Sequence, residues 1–116
     1  MSPRGEQERL RDILIRISRI RFSEQILITA EENNDDNMAI TAFDSILYGL
    51  LVIGEAVKSI AIEVRQRNSH IPWENMTGMR DFLAHQYFRV DAQQVQATID
   101  KPLDALGLVC IAELSE

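Results

Sequence analysis

One apolar stretch, residues 38 to about 67, constrains the fold of this chain more than any other part of its sequence. Apolar side chains recur in it on a seven-residue repeat, and a second apolar row lies beside the first. The two rows are Phe43, Leu47, Leu50, Gly54, Val57, Ala61 and Val64, and Ile46, Ile53 and Ile60. This periodicity predicts a single long helix that is apolar on several sides. Neighbouring helices have to cover such a helix, and a second copy of the chain could cover part of it.

The segment before this stretch has the pattern of another helix. Apolar side chains recur at helical spacing from about residue 8 to residue 30, with arginines between them. Residues 31–37 are polar and acidic and contain no apolar side chain, which predicts a loop. The last members of that loop can accept hydrogen bonds from the free N–H groups that open the next helix.

Prolines and an aspartate mark further helix starts towards the end of the chain. Pro72 and Trp73 are typical of a helix entrance because proline lacks the N–H that the first turn does not need, and this helix is predicted to run to about Phe88. Asp91 is a predicted N-cap of a short helix, and Pro102 opens a last one. The pattern predicts an all-α bundle of four or five helices.

Length and charge limit what the chain can be. Residues 1–116 have the length of a single domain. The net charge of −6 argues against a protein that coats nucleic acid, since such binding depends on neutralising phosphates, so any RNA contact must be local. Residues 1–22 are the exception, with six arginines against three acidic residues. That basic first helix could approach a phosphate backbone or an acidic partner, although a solvated helix surface is the more common reason for such a pattern.

The location and the metal content follow from what the sequence lacks. No run of 18 apolar residues occurs and the N-terminus lacks the apolar core of a signal peptide, so a cytoplasmic protein without a membrane segment is predicted. Cys110 is the one cysteine and is predicted to be buried. His70 and His85 lie fifteen residues apart without a carboxylate–histidine cluster, so neither a metal site nor a cofactor is predicted. His70, in a polar break, is predicted to be a surface residue.

The stretch from residue 79 to residue 88 combines three chemically useful side chains on one predicted helix. Arg80 offers a planar fork of donors for phosphate oxygens, and His85 can take or give a proton near pH 7. With the hydroxyl of Tyr87, this is a minimal set for metal-free cleavage of RNA, whose 2′-hydroxyl can serve as the nucleophile. On a helix, Tyr87 returns to the direction of Arg80, whereas His85 is displaced by about 140°. A cleft completed by a two-fold partner would suit this spacing.

Two carboxylates are candidates for supporting roles. Asp81 follows Arg80 directly and could orient it or form a hydrogen bond with His85. Glu55 lies in the polar stripe of the long apolar helix. It is expected to be solvated or paired with Lys58 or Ser59 rather than catalytic, which makes it a secondary candidate.

The pattern of Arg80, four residues, His85, one residue and Tyr87 resembles the signature of the HepT-like HEPN family, the toxin half of HepT/MntA toxin–antitoxin pairs. Further segments resemble that family in the same order and separation, namely residues 53–56, 71–73 and 78–81. The resemblance implies a HEPN bundle of four or five helices that forms a homodimer. Two copies of the arginine–histidine motif would then line a shared cleft.

The same resemblance implies an activity and a form of regulation. It implies a metal-independent endoribonuclease in which Arg80 stabilises the phosphate and His85 acts in proton transfer. It also implies an antitoxin partner, a minimal nucleotidyltransferase of the MntA type, that attaches AMP units to Tyr87. The bulky negative charge of AMP beside Arg80 and His85 would inhibit cleavage by occlusion and repulsion.

Two other functions fit the same residues. A non-catalytic HEPN binding module could dock or regulate a nucleotidyltransferase through this surface. A structural helical dimer without chemistry would carry Arg80, His85 and Tyr87 only as surface residues, since helices often carry such side chains. The ribonuclease hypothesis predicts that the protein cleaves RNA, whereas both of these alternatives predict that it does not.

Overall fold

The computed structural model describes residues 4–86 and 89–115, and within these ranges it contains six helices and no strand. The predicted all-α class is therefore confirmed. Five of the helices have eight residues or more, and α3 has six. The helices are α1 (Arg4–Glu32), α2 (Asp36–Lys58), α3 (Ile62–Arg67), α4 (Trp73–Gln86), α5 (Ala92–Ile99) and α6 (Lys101–Leu114).

Helix α2 is the central helix, as its apolar pattern predicts. It packs most extensively against α1 and next against α4, and its buried side includes Ile46, Leu50, Ile53 and Val57. Among the described residues it is also the one helix that is long and apolar enough to cross a membrane. Its position between α1 and α4 is that of a core helix in a soluble bundle, because its buried apolar side chains belong to the common core.

The prediction of one helix from residue 38 to residue 67 is wrong, since the chain breaks between α2 and α3. The N–H of Ser59 donates to carbonyl groups of the last turn of α2, which ends the helix. The N–H of Ala61 then donates to the buried carboxylate of Glu6 on α1, at 3.0 Å. Ile60 and Val64 are both buried, so the apolar repeat continues across the break. A contact with a distant part of the chain therefore sets the break.

Helix α1 and the loop that follows it differ from the prediction by a few residues at each end. Helix α1 extends from Arg4 to Glu32, and Asp36 already belongs to α2. The acidic loop is therefore shorter than residues 31–37. As predicted for its last members, Asp35 caps α2, because its side chain accepts a hydrogen bond from the N–H of Met38 at 3.1 Å.

The predicted helix starts in the second half of the chain are confirmed. Helix α4 begins at Trp73, whose buried indole donates its N–H to the carbonyl of Asn68 at 3.0 Å. Asp91 caps α5 by accepting a hydrogen bond from Gln93 at 2.9 Å, and Pro102 lies in the first turn of α6. Helix α4 is described as far as Gln86; the predicted end at Phe88 lies outside the described residues.

Ion pairs attach both ends of α6 to the bundle. At its start, Arg21 of α1 lies 2.6 Å from Asp104. At its end, the buried carboxylate of Glu113 accepts hydrogen bonds from Arg67, at 2.5 and 3.0 Å, and from Asn68, at 3.1 Å. The hydrogen bond from Arg67 is the main reason why the pKa of Glu113 is lowered. Cys110 is buried, as predicted, and burial followed by the charge of Glu113 raises its thiol pKa to about 12.

Candidate active site

A glycine brings α4 close to α2 at the position of the predicted catalytic arginine. A Cβ atom added at Gly54 would overlap Cβ of Arg80 and lie 3.0 Å from both Cγ of Arg80 and the carbonyl oxygen of Met76. Met76 and Leu83 are buried on the same helix and hold α4 against the core. The Cβ and Cγ atoms of Arg80 therefore pack directly on the backbone of α2, and this contact limits the positions that its guanidinium can reach.

The guanidinium of Arg80 is engaged by two carboxylates from different helices. Its Nε lies 2.6 Å from Oε2 of Glu55, and its Nη1 lies 3.2 Å from Oδ1 of Asp81. Glu55 follows Gly54 on α2 and therefore stands beside the arginine. The predicted pairing of Glu55 with Lys58 or Ser59 is replaced by this pairing across helices, although the Glu55 side chain remains 61% exposed.

Lys58 also belongs to this group. Its Nζ lies 2.5 Å from Oδ1 of Asp81, the same oxygen that Arg80 approaches at 3.2 Å. The hydrogen bond from Lys58 is the largest reason why the pKa of Asp81 is lowered, and the hydrogen bond from Arg80 acts in the same direction. We call Glu55, Lys58, Arg80 and Asp81 the ion cluster.

From the sequence, Lys58 was a possible partner of Glu55 and a candidate for contacts with an RNA backbone, but nothing placed it near Arg80. The signal that could have found it is its spacing of three residues from Glu55, which places both side chains on one side of a helix. What the sequence does not contain is the position of α4, which brings Asp81 to Lys58 across 23 residues of chain.

His85 lies in the last turn of α4 and is exposed. It follows Asp81 by four residues, so the two residues leave the helix in directions only about 40° apart, whereas Arg80 and His85 differ by about 140°. Asp81 thus stands between the two predicted catalytic residues on the surface of α4. Tyr87, the predicted modification site, lies outside the described residues.

The ion cluster carries two positive and two negative groups, so its formal charge is zero. A phosphate that binds Arg80 therefore has to compete with Glu55 and Asp81. This competition is feasible because both carboxylates are more than half exposed, and ion pairs between exposed groups are weak in water. Within the described residues, no three His, Cys, Asp or Glu side chains are grouped so that they could hold a metal ion.

Comparison with known proteins identifies the family. The family model described as "Ribonuclease HepT-like" matches residues 8–111. The chain belongs to this family. The resemblance of the motif around Arg80 and His85 to HepT-like HEPN proteins is thereby confirmed at the level of the family. No solved structure matches the HepT-like chain.

Several curated relatives support the assignment. A protein of Caldanaerobacter subterraneus subsp. tengcongensis, whose name gives RNase as an inferred activity, is 44% identical over 57 residues, which are 49% of this chain and 51% of the relative. A protein of Methanocaldococcus jannaschii with the same kind of name is 53% identical over 49 residues, 42% of each chain. The "Probable ribonuclease HepT" of Thermococcus cleftensis is 36% identical over 62 residues, 53% of this chain and 56% of the relative. The chain thus spans about half the length of the curated relatives it matches.

Proposed function

We propose that this HepT-like protein is a metal-independent endoribonuclease that acts as the toxin of a toxin–antitoxin pair in the cytoplasm. The family and the names of the relatives support RNA cleavage as the activity. The observation that carries the proposal is the fixed position of Arg80 at the contact of α2 and α4, with His85 exposed one turn beyond Asp81. A fixed cation next to a proton-transfer group is what cleavage of a phosphodiester requires.

In the proposed reaction, Arg80 exchanges its contacts with Asp81 and Glu55 for two oxygens of the phosphate that is cleaved, which its planar fork fits. The 2′-oxygen of the RNA attacks the neighbouring phosphorus, the bond from phosphorus to the 5′-oxygen breaks, and a cyclic phosphate and a 5′-hydroxyl result. His85 takes the proton of the 2′-hydroxyl, and the leaving 5′-oxygen takes a proton from water; the proton on His85 then returns to solvent. General acid–base catalysis of this kind contributes about 10²- to 10⁴-fold.

The proposed active form is a homodimer. The angle of about 140° between Arg80 and His85 on α4 is wide for one substrate atom, and a second copy related by a two-fold axis would complete a cleft with two motifs. Large apolar side chains that remain exposed are consistent with burial in an assembly. They include Ile62, Leu108 and Ile111, with 58%, 70% and 53% exposure.

The proposed regulation acts through Tyr87. A minimal nucleotidyltransferase antitoxin would attach AMP to its hydroxyl, two residues after His85. The added phosphate would compete for Arg80 and the nucleoside would obstruct the approach of RNA.

One observation favours the alternative of a non-catalytic module that docks or regulates a nucleotidyltransferase. Nε and Nη1 of Arg80 each lie within ion-pair distance of a carboxylate of the same chain, although Nε makes no hydrogen bond, and the ion cluster is neutral. A neutral, internally paired surface suits contact with another protein as well as it suits RNA.

Cleavage of RNA by purified His85→Ala protein tests the proposal. We expect a loss of about 10²- to 10⁴-fold and a loss of growth inhibition, because the proton-transfer group is removed. His70→Ala is the matched control, since His70 is the other histidine, is also exposed and lies outside α4; it should cleave like the wild type. A folded His85→Ala protein that still cleaves RNA would contradict the proposal. A wild type that binds a nucleotidyltransferase but cleaves no RNA would favour the docking module.

A further inference from the structure

A second arginine lies against the exposed side of α2 that carries the ion cluster. Tyr48 and Glu55 are seven residues apart on α2, so they leave the helix in nearly the same direction, about 10.5 Å apart along its axis. Arg80 of α4 lies on Glu55, and Arg16 of α1 lies over Tyr48, with its Cζ 5.1 Å from the ring centroid. This side of α2 therefore connects the candidate active site with the basic first helix.

Arg16, which lies over Tyr48, also lines a depression of about 450 Å³ between α1 and α2, whose α2 side is formed by Ser45 and Gly49. Arg16 and Arg19 supply positive charge to its lining, and Phe22, 59% exposed, supplies an aromatic surface. None of the described residues that line it is acidic. In a chain with a net charge of −6, this is a place where a phosphate backbone meets attraction rather than repulsion.

Exposed aromatic rings next to arginines are the means by which proteins hold single-stranded nucleic acid. Bases stack on the rings, and guanidinium groups contact phosphates or stack on the bases. Tyr48 is 55% exposed, so a base can reach its ring. The contact with Arg16 holds that ring in place and keeps the guanidinium beside it.

We propose that Arg16, Arg19 and Tyr48 form a second RNA subsite, which holds a nucleotide of single-stranded RNA beyond the two nucleosides that flank the phosphate cleaved at Arg80 and His85. This inference rests on the proposed ribonuclease function. The base stacks on Tyr48, and the two arginines contact the phosphates on either side. A strand that runs along α2 thereby reaches both sites.

Binding of RNA analogues of two lengths tests the subsite. The probes are 2′-O-methyl oligouridines of 2 and 12 nucleotides, which cannot be cleaved because the 2′-oxygen is blocked. We expect Tyr48→Ala to weaken binding of the 12-mer about tenfold and to leave binding of the dinucleotide unchanged, whereas Tyr48→Phe binds like the wild type because the ring remains. Arg16→Gln should reduce the slope of log affinity against log salt by about 0.7, the value for one lost phosphate contact in a single strand.

Arg11→Gln is the matched control, since Arg11 is an exposed arginine on α1 that points about 140° away from Arg16. It should leave the affinity for the 12-mer and the salt slope unchanged. Thermal unfolding of each variant shows that the fold is intact.

Three results would overturn the subsite. If the wild type cleaves RNA but Tyr48→Ala binds the 12-mer as tightly as the wild type, the subsite is wrong and the ribonuclease function stands. An equal loss for the dinucleotide and the 12-mer would show that Tyr48 acts on the catalytic centre itself. A wild type that neither cleaves RNA nor binds the 12-mer would overturn the subsite and the proposed function together.

Discussion

Among single residues, Asp81 is the one that we expect to limit how much of the charge of Arg80 is available to a phosphate. Lys58 holds the Asp81 oxygen at 2.5 Å, closer than Arg80 at 3.2 Å. Without Lys58, the carboxylate would pair with Arg80 alone. We expect Lys58→Ala to raise the KM for RNA about two- to fivefold, the size of an exposed ion pair, with little change in kcat.

A double-mutant cycle identifies the cause of that effect. In an Asp81→Asn background, Lys58→Ala should change KM little, because no carboxylate remains to be restrained. A full effect in that background would mean that Lys58 contacts RNA directly. Lys101→Ala is the control, since Lys101 is the other lysine and lies at the start of α6.

For helix packing, the contact of α2 with α4 depends on the missing side chain of Gly54. We expect Gly54→Ala to lower the free energy of unfolding by about 1–3 kcal/mol, because the added Cβ would overlap Arg80 and press on the carbonyl of Met76. It should also reduce cleavage by displacing Arg80. Thermal unfolding and the RNA cleavage rate measure the two effects.

Gly78 provides the matched control on α4. A Cβ added there meets no atom within 4 Å, so this position has room for a side chain. Gly78→Ala should raise stability by up to about 1 kcal/mol through helix propensity. If both glycine variants unfold at the wild-type temperature, close packing at Gly54 is not what positions α4.

For the whole molecule, Glu113 makes stability depend on pH because it joins the end of α6 to Arg67 and Asn68. Its pKa is lowered in the folded chain, so its contribution is fully present above the ordinary value of 4.5 and is lost as pH falls through the lowered pKa. We expect Glu113→Gln to lose about 1–3 kcal/mol at pH 7, because a hydrogen-bonded charge becomes neutral.

Urea unfolding at about pH 7 and about pH 3 measures this contribution. The wild type and Glu113→Gln should differ clearly at the higher pH and converge at the lower one. Asp36→Asn is a control, since Asp36 is an exposed carboxylate in the first turn of α2. A difference that is the same at both pH values would show that the side chain acts through its shape and not its charge.

The sequence predicted what local rules determine and missed what distant contacts determine. Apolar periodicity located α2, and Pro72, Asp91 and Pro102 located the starts of three helices, because caps and missing N–H groups act within one turn. The break after Lys58 was missed. It depends on a hydrogen bond from the N–H of Ala61 to Glu6, and these two residues are 55 positions apart in the sequence.

The candidate site shows the same division. Arg80, Asp81 and His85 were proposed from their places on one predicted helix together with the resemblance to the HepT-like family, and both can be read from a short stretch of sequence. The pairing of Arg80 and Asp81 with residues of α2 could not be predicted in this way. Only the close approach of the two helices at Gly54 brings Glu55 and Lys58 to them.

The buried indole of Trp73 gives this protein an internal optical reporter. It is the chain's single tryptophan, it begins the helix that carries Arg80 and His85, and its N–H is bound to the carbonyl of Asn68. The wavelength of its fluorescence maximum therefore depends on whether this end of α4 is packed against the bundle or exposed to water. Binding of RNA or of a partner protein can be followed through this signal in the unlabelled chain wherever it shifts α4.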